Sequence, residues 1–435
     1  MFHVKHSIFA LASAQGRAGV SVIRLSGDRA LWAAQQLTTK SLQPRHATYA
    51  GLDYRGEVID QAIVLYFPAP HSFTGEDCIE LHVHGSRAVL DRLYNVFVEL
   101  GLKLAEPGEF SRRAVENGKM DLTQAEGIAD LVDAETEAQR QQALTQLDGG
   151  LRRRYETWRS DLVDLLARLE VYIDFPDEDL PDDLSRAILV RIEALRDSLS
   201  AAMVDAERGR QIREGYRIVI LGEPNAGKSS LFNALLKAEA AIVAPMAGTT
   251  RDIIEAQLRI GPYSVLLYDT AGLRDTDELV EREGIRRAMA KADEADLRLW
   301  LVDGTRRNIP RDVRDGDLLV FSKSDMIGGV SRETSAHVIS TVTGEGVPAL
   351  VSAIEQRVTE ALSGQTFPAA TRERHRERLA AARDQLDQAL SSHLRVPELS
   401  AEHVRMALNS FEALFGRYDV EGVLDVVFST FCIGK

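Results

Sequence analysis

The chain's 435 residues are enough for two to four domains, each able to bury a core, and its hydrophobic (45%) and charged (27%) fractions are those of a globular protein. No uninterrupted apolar run approaches the roughly 18 residues of a membrane span, and a formal net charge of −14 excludes nucleic-acid binding by bulk electrostatics. Two cysteines, Cys78 and Cys432, make no disulfide framework, so a reducing, cytoplasmic compartment is expected.

The opening stretch MFHVKHSIFALASA has a basic start, a short apolar run and an A-x-A-like end at Ala12-Ser13-Ala14, which together mimic a signal peptide. The apolar run is near the short limit for that, so residues 7–12 predict a first β-strand followed by the loop AQGRAG. VSVIRLSG (20–27), AIVLYFP (62–68) and CIELHVHG (78–85) read as strands, and SRAVLDRLYNVFVEL (86–100) as an amphipathic helix. Residues 1–118 are therefore expected to form an α+β or α/β domain. His82 and His84 share one face of a strand, with too few further ligands nearby for zinc, so structural or pocket roles are expected.

From about Met120 to Arg213 the apolar period becomes 3.6, and FPDEDLPDD (175–183) breaks it with two prolines and a run of acids. Residues 216–362 alternate strand and helix patterns, and 371–430 return to long helical patterns. An α/β module inserted into a helical domain is expected, with boundaries at 119–213, 214–364 and 365–435. The basic clusters Arg152-Arg153-Arg154 and RERHRER (372–378) lie in helical patterns and read as solvated faces.

RIVILGEPNAGKSSLFNALL (217–236) carries the strongest chemical signal. A buried strand runs into Gly222-x4-Gly227-Lys228-Ser229 and then into an amphipathic helix. The glycines let backbone N–H groups turn onto phosphate oxygens, and the helix N-terminus adds its dipole. In the run Asn225, Ala226, Gly227, Lys228, Ser229, Ser230, the lysine is expected between β- and γ-phosphates and Ser229 on Mg²⁺. GTTRD (248–252) offers Thr250 as a second Mg²⁺ ligand beside Thr249. SVLLYDTAG (264–272) ends a strand on Asp269, an outer Mg²⁺ carboxylate, and Gly272 can turn an N–H to the γ-phosphate. LLVFSKSD (318–325) ends on Lys323-x-Asp325, where Asp325 can accept from guanine N1 and N2, which adenine cannot supply. VIST (338–341) leads into a base-side loop. The set describes a guanine-nucleotide hydrolase, with Ser322 standing where most such proteins carry Asn, so weaker nucleotide affinity is expected.

Many GTPases position the attacking water with a glutamine just after the DTAG element, but Leu273 occupies that place here. The catalytic group must come from elsewhere. RDTDELVEREGI (274–285) holds several acids, and the side-chain oxygen of Asn225 could hold a monovalent cation against the phosphates, doing the electrostatic work of an arginine finger.

GEPNAGKSSL, AGTTRD, DTAGLR, FTGEDCIEL, NGKMDLTQAE and the terminal FCIGK, in this order along essentially the whole chain, resemble the MnmE (TrmE) family of tRNA-modification GTPases. The G-domain motifs are shared widely; FTGED and FCIGK are far more specific. The resemblance implies a multidomain α/β-plus-α protein: a folate-binding-like α+β domain that dimerises, a helical domain, and an inserted Ras-like P-loop domain that dimerises across K⁺. It implies a homodimer that joins the flavoprotein MnmG in a heterotetramer. Together they add an aminomethyl or carboxymethylaminomethyl group at C5 of the wobble uridine of certain tRNAs, with 5-formyl- or 5,10-methylenetetrahydrofolate supplying the one-carbon unit. GTP, Mg²⁺ and K⁺ are the other implied cofactors, and no membrane is involved.

Residue by residue, the resemblance places Asn225 at the family's K⁺-binding asparagine. Ala244, Met246 and Thr249 fall on the loop that completes that site. Ser229 and Thr250 match the Mg²⁺ ligands, and Glu281 matches the glutamate that orients the attacking water. Arg24, Glu80 and Lys119 match folate contacts, as does Lys435 at the end of the chain. Ser322, Thr341 and Ala18 depart from the family's Asn, Ala and Gly.

Two rival readings are open. One is a GTP-driven, RNA-associated assembly switch without covalent chemistry, which would need no one-carbon site in the first domain. The other is a prenylated signalling GTPase, because Cys432-Ile433-Gly434-Lys435 loosely mimics C-a-a-X, though Lys at the last place and the lack of an upstream polybasic run fit it poorly. The lead-in VVFSTF (426–431) is too hydrophobic to float, so the tail is expected to pack the helical domain's end on the first domain. That would bring Cys432, a nucleophile or a packing residue, and Lys435 to the one-carbon site.

Overall fold

The computed structural model describes residues 6–174, 184–238, 254–269, 291–306, 308–327, 336–364, 367–393, 396–416, 420–429, 431 and 434. Contacts divide the chain into two units, one drawn from Met1–Ala129, Gln146–Ile188 and Gln388–Lys435, the other from Asp130–Thr145 and Leu189–Asp387.

The first unit holds a six-stranded sheet built from β1 (Ile8–Leu11), β2 (Ala18–Ser26), β3 (Thr48–Tyr54), β4 (Glu57–Phe67), β5 (Cys78–Gly85) and β6 (Lys103–Leu104), in the order β3-β4-β5-β2-β1-β6. All pairings are antiparallel except β1 with β6. Within the signal-like stretch Ile8–Leu11 thus form an interior strand. β3 and β4 form a hairpin whose two turn residues, Arg55 (φ 54°) and Gly56 (φ 84°), are both left-handed, as a two-residue turn between twisted strands requires. The alternation of each strand sends one set of side chains to each face. Phe9, Leu11, Ile23, Leu25, Leu52, Val64, Ile79 and Leu81 fill a core under α1 (Ala30–Gln35) and α2 (Arg87–Glu99). α2 starts where the Ser86 hydroxyl accepts from the Val89 N–H (3.3 Å). On the opposite face Ile8, Ala10, Ala105 and Phe110 form a smaller apolar cluster with Phe73. Arg24 and Glu80 belong to this second face by register.

The first unit also contains α3 (Glu109–Glu116), α6 (Gly150–Asp174), α11 (Pro397–Leu414) and α12 (Val420–Ser429), with α4 (Leu122–Asp133) beginning in it. α6 packs on α11 through the rings of Tyr155, Trp158, Phe411 and Phe415. The ion pairs Arg159–Glu412 (2.5 Å) and Arg405–Glu170 (2.8 Å) flank that seam. Leu424, Phe428 and Phe431 join Leu122 and Ala125 in a separate core.

The second unit carries α5 (Glu137–Leu147) up to Thr145, most of α7 (Leu184–Glu214) and most of α10 (Glu373–His393), around a second six-stranded sheet. Its strands are β7 (Tyr216–Leu221), β8 (Ile254–Ile260), β9 (Tyr263–Asp269), β10 (Leu297–Asp303), β11 (Leu318–Ser322) and β12 (His337–Val338). Their order is β12-β11-β10-β7-β9-β8, parallel except for β8. α8 (Lys228–Ala238) and α9 (Val347–Leu362) cover one face through Leu231, Phe232, Leu235, Leu350, Ile354 and Val358. Val219, Leu221, Tyr268 and Trp300 fill the other face. The chain leaves β7 toward β9 on one side and returns to β10 on the other, so the β7–α8 loop lies at the topological switch point where α/β sheets bind ligands. Among the described residues no helix is long and apolar enough to cross a membrane.

Candidate functional site

The loop after β7 is shaped by backbone that few residues adopt. Gly222 sits at φ 150°, and a Cβ there would lie 2.2 Å from the Leu301 carbonyl oxygen. Asn225 (φ 63°) and Gly227 (φ 99°) complete the turn in left-handed conformations. Ala226 between them is buried. α8 then opens with Lys228, Ser229 and Ser230, the two serines exposed on its first turn. The Lys228 ammonium folds back over the loop and donates to the carbonyls of Gly222 (2.8 Å) and Glu223 (3.0 Å). Asp269, wholly buried at the end of β9, pairs in register with Ile220 of β7, one strand away from the loop.

On the base side, Ser322 at the end of β11 donates its hydroxyl to the Ala226 carbonyl (2.7 Å), tying this strand to the phosphate loop. Lys323 (φ 59°) reaches Asp303 at 2.6 Å. The Lys323 hydrogen bond, then that of Thr305, hold the Asp303 carboxyl down at about 2. Ser340 donates to Asp325 Oδ1 (2.6 Å) while accepting from the N–H groups of Val342 and Thr343 (3.2 Å each). The Asp325 carboxylate is thereby oriented by a loop hydroxyl, and the sequence reading passed over both Ser340 and Asp303. Ala244, Met246, Thr249, Thr250, Gly272 and Glu281 lie outside the described residues, as do Cys432 and Lys435.

A second constellation occupies the far face of the first sheet. Arg24 Nε and Nη2 donate to Glu80 Oε1 (3.1 and 2.9 Å) across the β2–β5 pairing. The guanidinium lies 5.1 Å from the centre of the Phe73 ring and 5.8 Å from that of Phe110. His82 Nε2 stands 3.5 Å from the other Glu80 oxygen, whereas His84 turns outward to Asp60 (2.7 Å).

FTGED and NGK, far apart in sequence, meet beside this pair. Gly75 (φ 81°) abuts Asn117, and a Cβ there would lie 3.1 Å from the Asn117 Cβ and 3.3 Å from Lys119 carbons. Asn117 donates to the Thr74 carbonyl (2.7 Å), and Lys119 to the Pro70 carbonyl (2.8 Å). Within the loop the Thr74 and Ser26 hydroxyls bond at 2.7 Å, and Ser26 donates to Glu76 (2.7 Å). Arg113 clamps Glu76 (3.0 Å) and Glu109 (2.6 Å). Burial opposes the Arg113 charge, but the Glu109 hydrogen bond and the Glu76 charge outweigh it and raise its pKa above the ordinary value. Phe73 and Asn117 open the stretches FTGED and NGKMDLTQAE, whereas Phe110 and Arg113 carry no local signal in the sequence.

The C-terminal end reaches the same sheet. The Phe428 side chain lies against Gly108 (φ 68°), Phe431 is buried, and a Cβ on Gly434 would sit 2.1 Å from the Leu11 carbonyl oxygen at the end of β1. Leu11 pairs with Ile23, next to Arg24. The expected packing of the tail on the first domain is therefore present in Phe428 and Gly434, while Phe431 sits in the core with Leu122 and Ala125.

Known proteins match over the whole length. The model described as "MnmE helical domain" matches residues 122–432, and "GTP-binding protein TrmE N-terminus" matches 7–119. The chain is 50% identical over 446 residues to the tRNA modification GTPase MnmE of Caulobacter vibrioides, covering 99% of each. Proteins of the same description from Phenylobacterium zucineum (48% over 446 residues) and Rhodospirillum rubrum (48% over 453 residues) are likewise covered to 99% on both sides.

Proposed function

The chain belongs to the MnmE family of tRNA modification GTPases, and from that membership we propose how it works: as a K⁺-dependent GTPase that, with the flavoprotein MnmG, installs an aminomethyl or carboxymethylaminomethyl group at C5 of the wobble uridine, using a tetrahydrofolate one-carbon donor. It acts in the cytoplasm as a homodimer that joins MnmG in a heterotetramer. The domain division at 1–118, 119–213, 214–364 and 365–435 belongs to the same reading.

The observation that carries the folate part is the convergence of FTGED, NGK and the tail residue Gly434 around the strands bearing Arg24 and Glu80. A carboxylate paired to an arginine beside two aromatic rings suits a flat pterin, whose amide and amine donors face an acceptor and whose ring faces apolar carbon. Lys119 and Lys435 would take the ligand's carboxylates, and Cys432 would stand at the one-carbon centre.

In the G domain, Lys228 balances charge on the β- and γ-phosphates, and Asp325 reads the guanine edge. Ser229 and Thr250 would hold Mg²⁺, with Asp269 as the outer carboxylate. Asn225 and the loop of Ala244, Met246 and Thr249 would hold K⁺. The exposed serine on the first helical turn, the buried carboxylate on the adjacent strand and the left-handed exposed asparagine fit those places. The bound cations would supply positive charge against the phosphate oxygens, and the folate a one-carbon unit. Gly272 donates its N–H to the γ-phosphate, and Glu281 orients the attacking water.

Mass spectrometry of the wobble nucleoside in a strain lacking the gene tests the whole. Loss of the C5 group, restored by the wild-type chain, is expected; a modification level that survives the deletion favours the assembly switch. Cys432→Ser should bind 5-formyltetrahydrofolate by calorimetry yet fail to restore modification if the thiol is chemical; full restoration makes it a packing residue.

A further inference from the structure

We propose that Ser322 is the residue that decides which edges of the purine are read, and that this chain reads guanine on its N1/N2 edge alone. The inference rests on the reading of Asp325 as the guanine acceptor and extends it to the opposite edge of the ring.

N7 lies on the edge of a purine away from N1 and N2. With Asp325 holding one edge, a donor for the other has to come from between Asp325 and the phosphate loop. Ser322 is the side chain placed there, three positions before Asp325 and hydrogen-bonded to Ala226 of the loop. It is only 3% exposed. A serine hydroxyl has a single proton to donate. Two acceptors compete for it, the Ala226 carbonyl at 2.7 Å and the Val302 carbonyl at 3.3 Å, and both are backbone groups of the protein. Whichever takes the proton, none is left for the base.

Among the described residues the two polar side chains bonded to this strand end are committed elsewhere. One of the three Lys323 ammonium donors goes to Asp303 at 2.6 Å, which draws the side chain to that carboxylate, and the Ser340 hydroxyl proton goes to Asp325 itself. An amide side chain at position 322 would carry two N–H donors, one for the loop carbonyl and one to spare for N7. Serine therefore keeps the mechanical tie between strand and phosphate loop and gives up the second contact to the base.

The test compares GDP with 7-deaza-GDP, in which a C–H replaces N7, by displacement of a fluorescent guanine nucleotide from the full-length protein. The diphosphates avoid turnover during the measurement. The wild-type chain should bind the two within a factor of about two, since no protein hydrogen bond to N7 is lost. Ser322→Asn should bind GDP roughly fivefold more tightly than 7-deaza-GDP, the value of one neutral hydrogen bond. A wild-type chain that discriminates against 7-deaza-GDP by fivefold or more overturns the proposal, and so does a folded Ser322→Asn protein that gains no preference. If that variant does not fold, the wild-type comparison decides alone. IDP, which lacks the N2 amine, separates the premise: IDP binding as tightly as GDP would remove the Asp325 reading, whatever 7-deaza-GDP does.

Discussion

Between Gly222 and Ser230 the second unit assembles its phosphate site from one unbroken run of chain, whereas the first unit builds the surroundings of Arg24 from segments at 73–80 and 110–119, with Gly434 against Leu11 on the neighbouring strand. In the phosphate loop the functional groups are mostly backbone N–H groups, so what the sequence must specify is conformation: Gly222, Asn225 and Gly227 at positive φ, then a helix start. Such a site leaves a dense local motif. In the Arg24 constellation the groups are side chains from separate elements, and each segment carries only one or two of them. Glu80 meets Arg24 through strand register, Asn117 meets Thr74 through a loop, and Gly434 meets Leu11 through tertiary packing. Sites of the first kind can be read and perturbed locally; sites of the second kind fail when any contributing segment is removed.

That contrast is tested most severely at the tail. Removing residues 432–435 takes Gly434 away from the end of β1 and nothing from the phosphate loop. Wobble modification should be abolished while GTP turnover of the purified protein stays at the wild-type rate. Parallel loss of both activities would show that the two regions do not separate in this way.

Within the G domain the largest single effect is expected at Glu281. Glu281→Ala should leave nucleotide binding nearly intact and lower kcat by roughly 10²–10³, the range for a lost positioning or general-base group. A variant that loses binding instead places Glu281 in the structure of the site. A smaller but clear effect should come from the cation. With Asn225 in the loop and Leu273 in place of a glutamine, GTP turnover should be about tenfold or more faster in KCl than in NaCl at equal ionic strength. Equal rates in the two salts would remove Asn225 from cation binding.

Gly434 sharpens the comparison from the other side, as a backbone requirement inside the tertiary site. At φ 98°, with the Leu11 carbonyl oxygen 2.1 Å from where a Cβ would sit, alanine cannot be accommodated without moving the tail. Gly434→Ala should cost about 1–3 kcal/mol in seating the C-terminal end. Modification in a complemented strain should fall without change in GTP turnover, and wild-type modification would mean the tail is not seated through this glycine.

The sequence carried the elements with strong local signals. Strands at 8–11, 18–26 and 78–85 lie where alternation or short apolar runs predict them, and α2 where its 3.6 period does, while β4 starts at Glu57, five residues before the predicted run 62–68. β3 went unnoticed because TYAGLDY places Ala-Gly at its centre and is held mainly by pairing with β4. The phosphate loop was legible residue by residue, since it is a local conformation. Arg24, Glu80 and Lys119 entered only through family resemblance, because register and long-range packing bring them together. The Ser322 hydroxyl bond to Ala226 spans 96 positions and has no local signature at all. Nor does the Arg113–Glu76 clamp, whose arginine reads in sequence as one more charge on a short helix.

The smallest effect is expected at Asp303, a partner local to the base side. Its carboxylate accepts from Lys323 and from Thr305, and these bonds hold it at about 2, below the ordinary aspartate value of 3.8. A carboxylate depressed in the folded state stabilises the fold fully above its unfolded value, and that stabilisation is lost as pH falls from about 3.8 through about 2. Lys323 is one-third exposed, so solvent screening limits the pair to under about 1 kcal/mol. Asp303→Asn should therefore lower the urea midpoint slightly, by the same amount at any pH between about 5 and 8, because the charge change lies wholly below that window. Raising ionic strength to about 1 M should shrink the gap, as it does for partly exposed pairs. GDP affinity should move little, since an asparagine oxygen can still accept from Lys323 and keep it beside the base strand. A gap that closes between pH 8 and pH 5 would mean that another group titrates in its place, and no gap at any pH would leave the Lys323–Asp303 contact without a stabilising role.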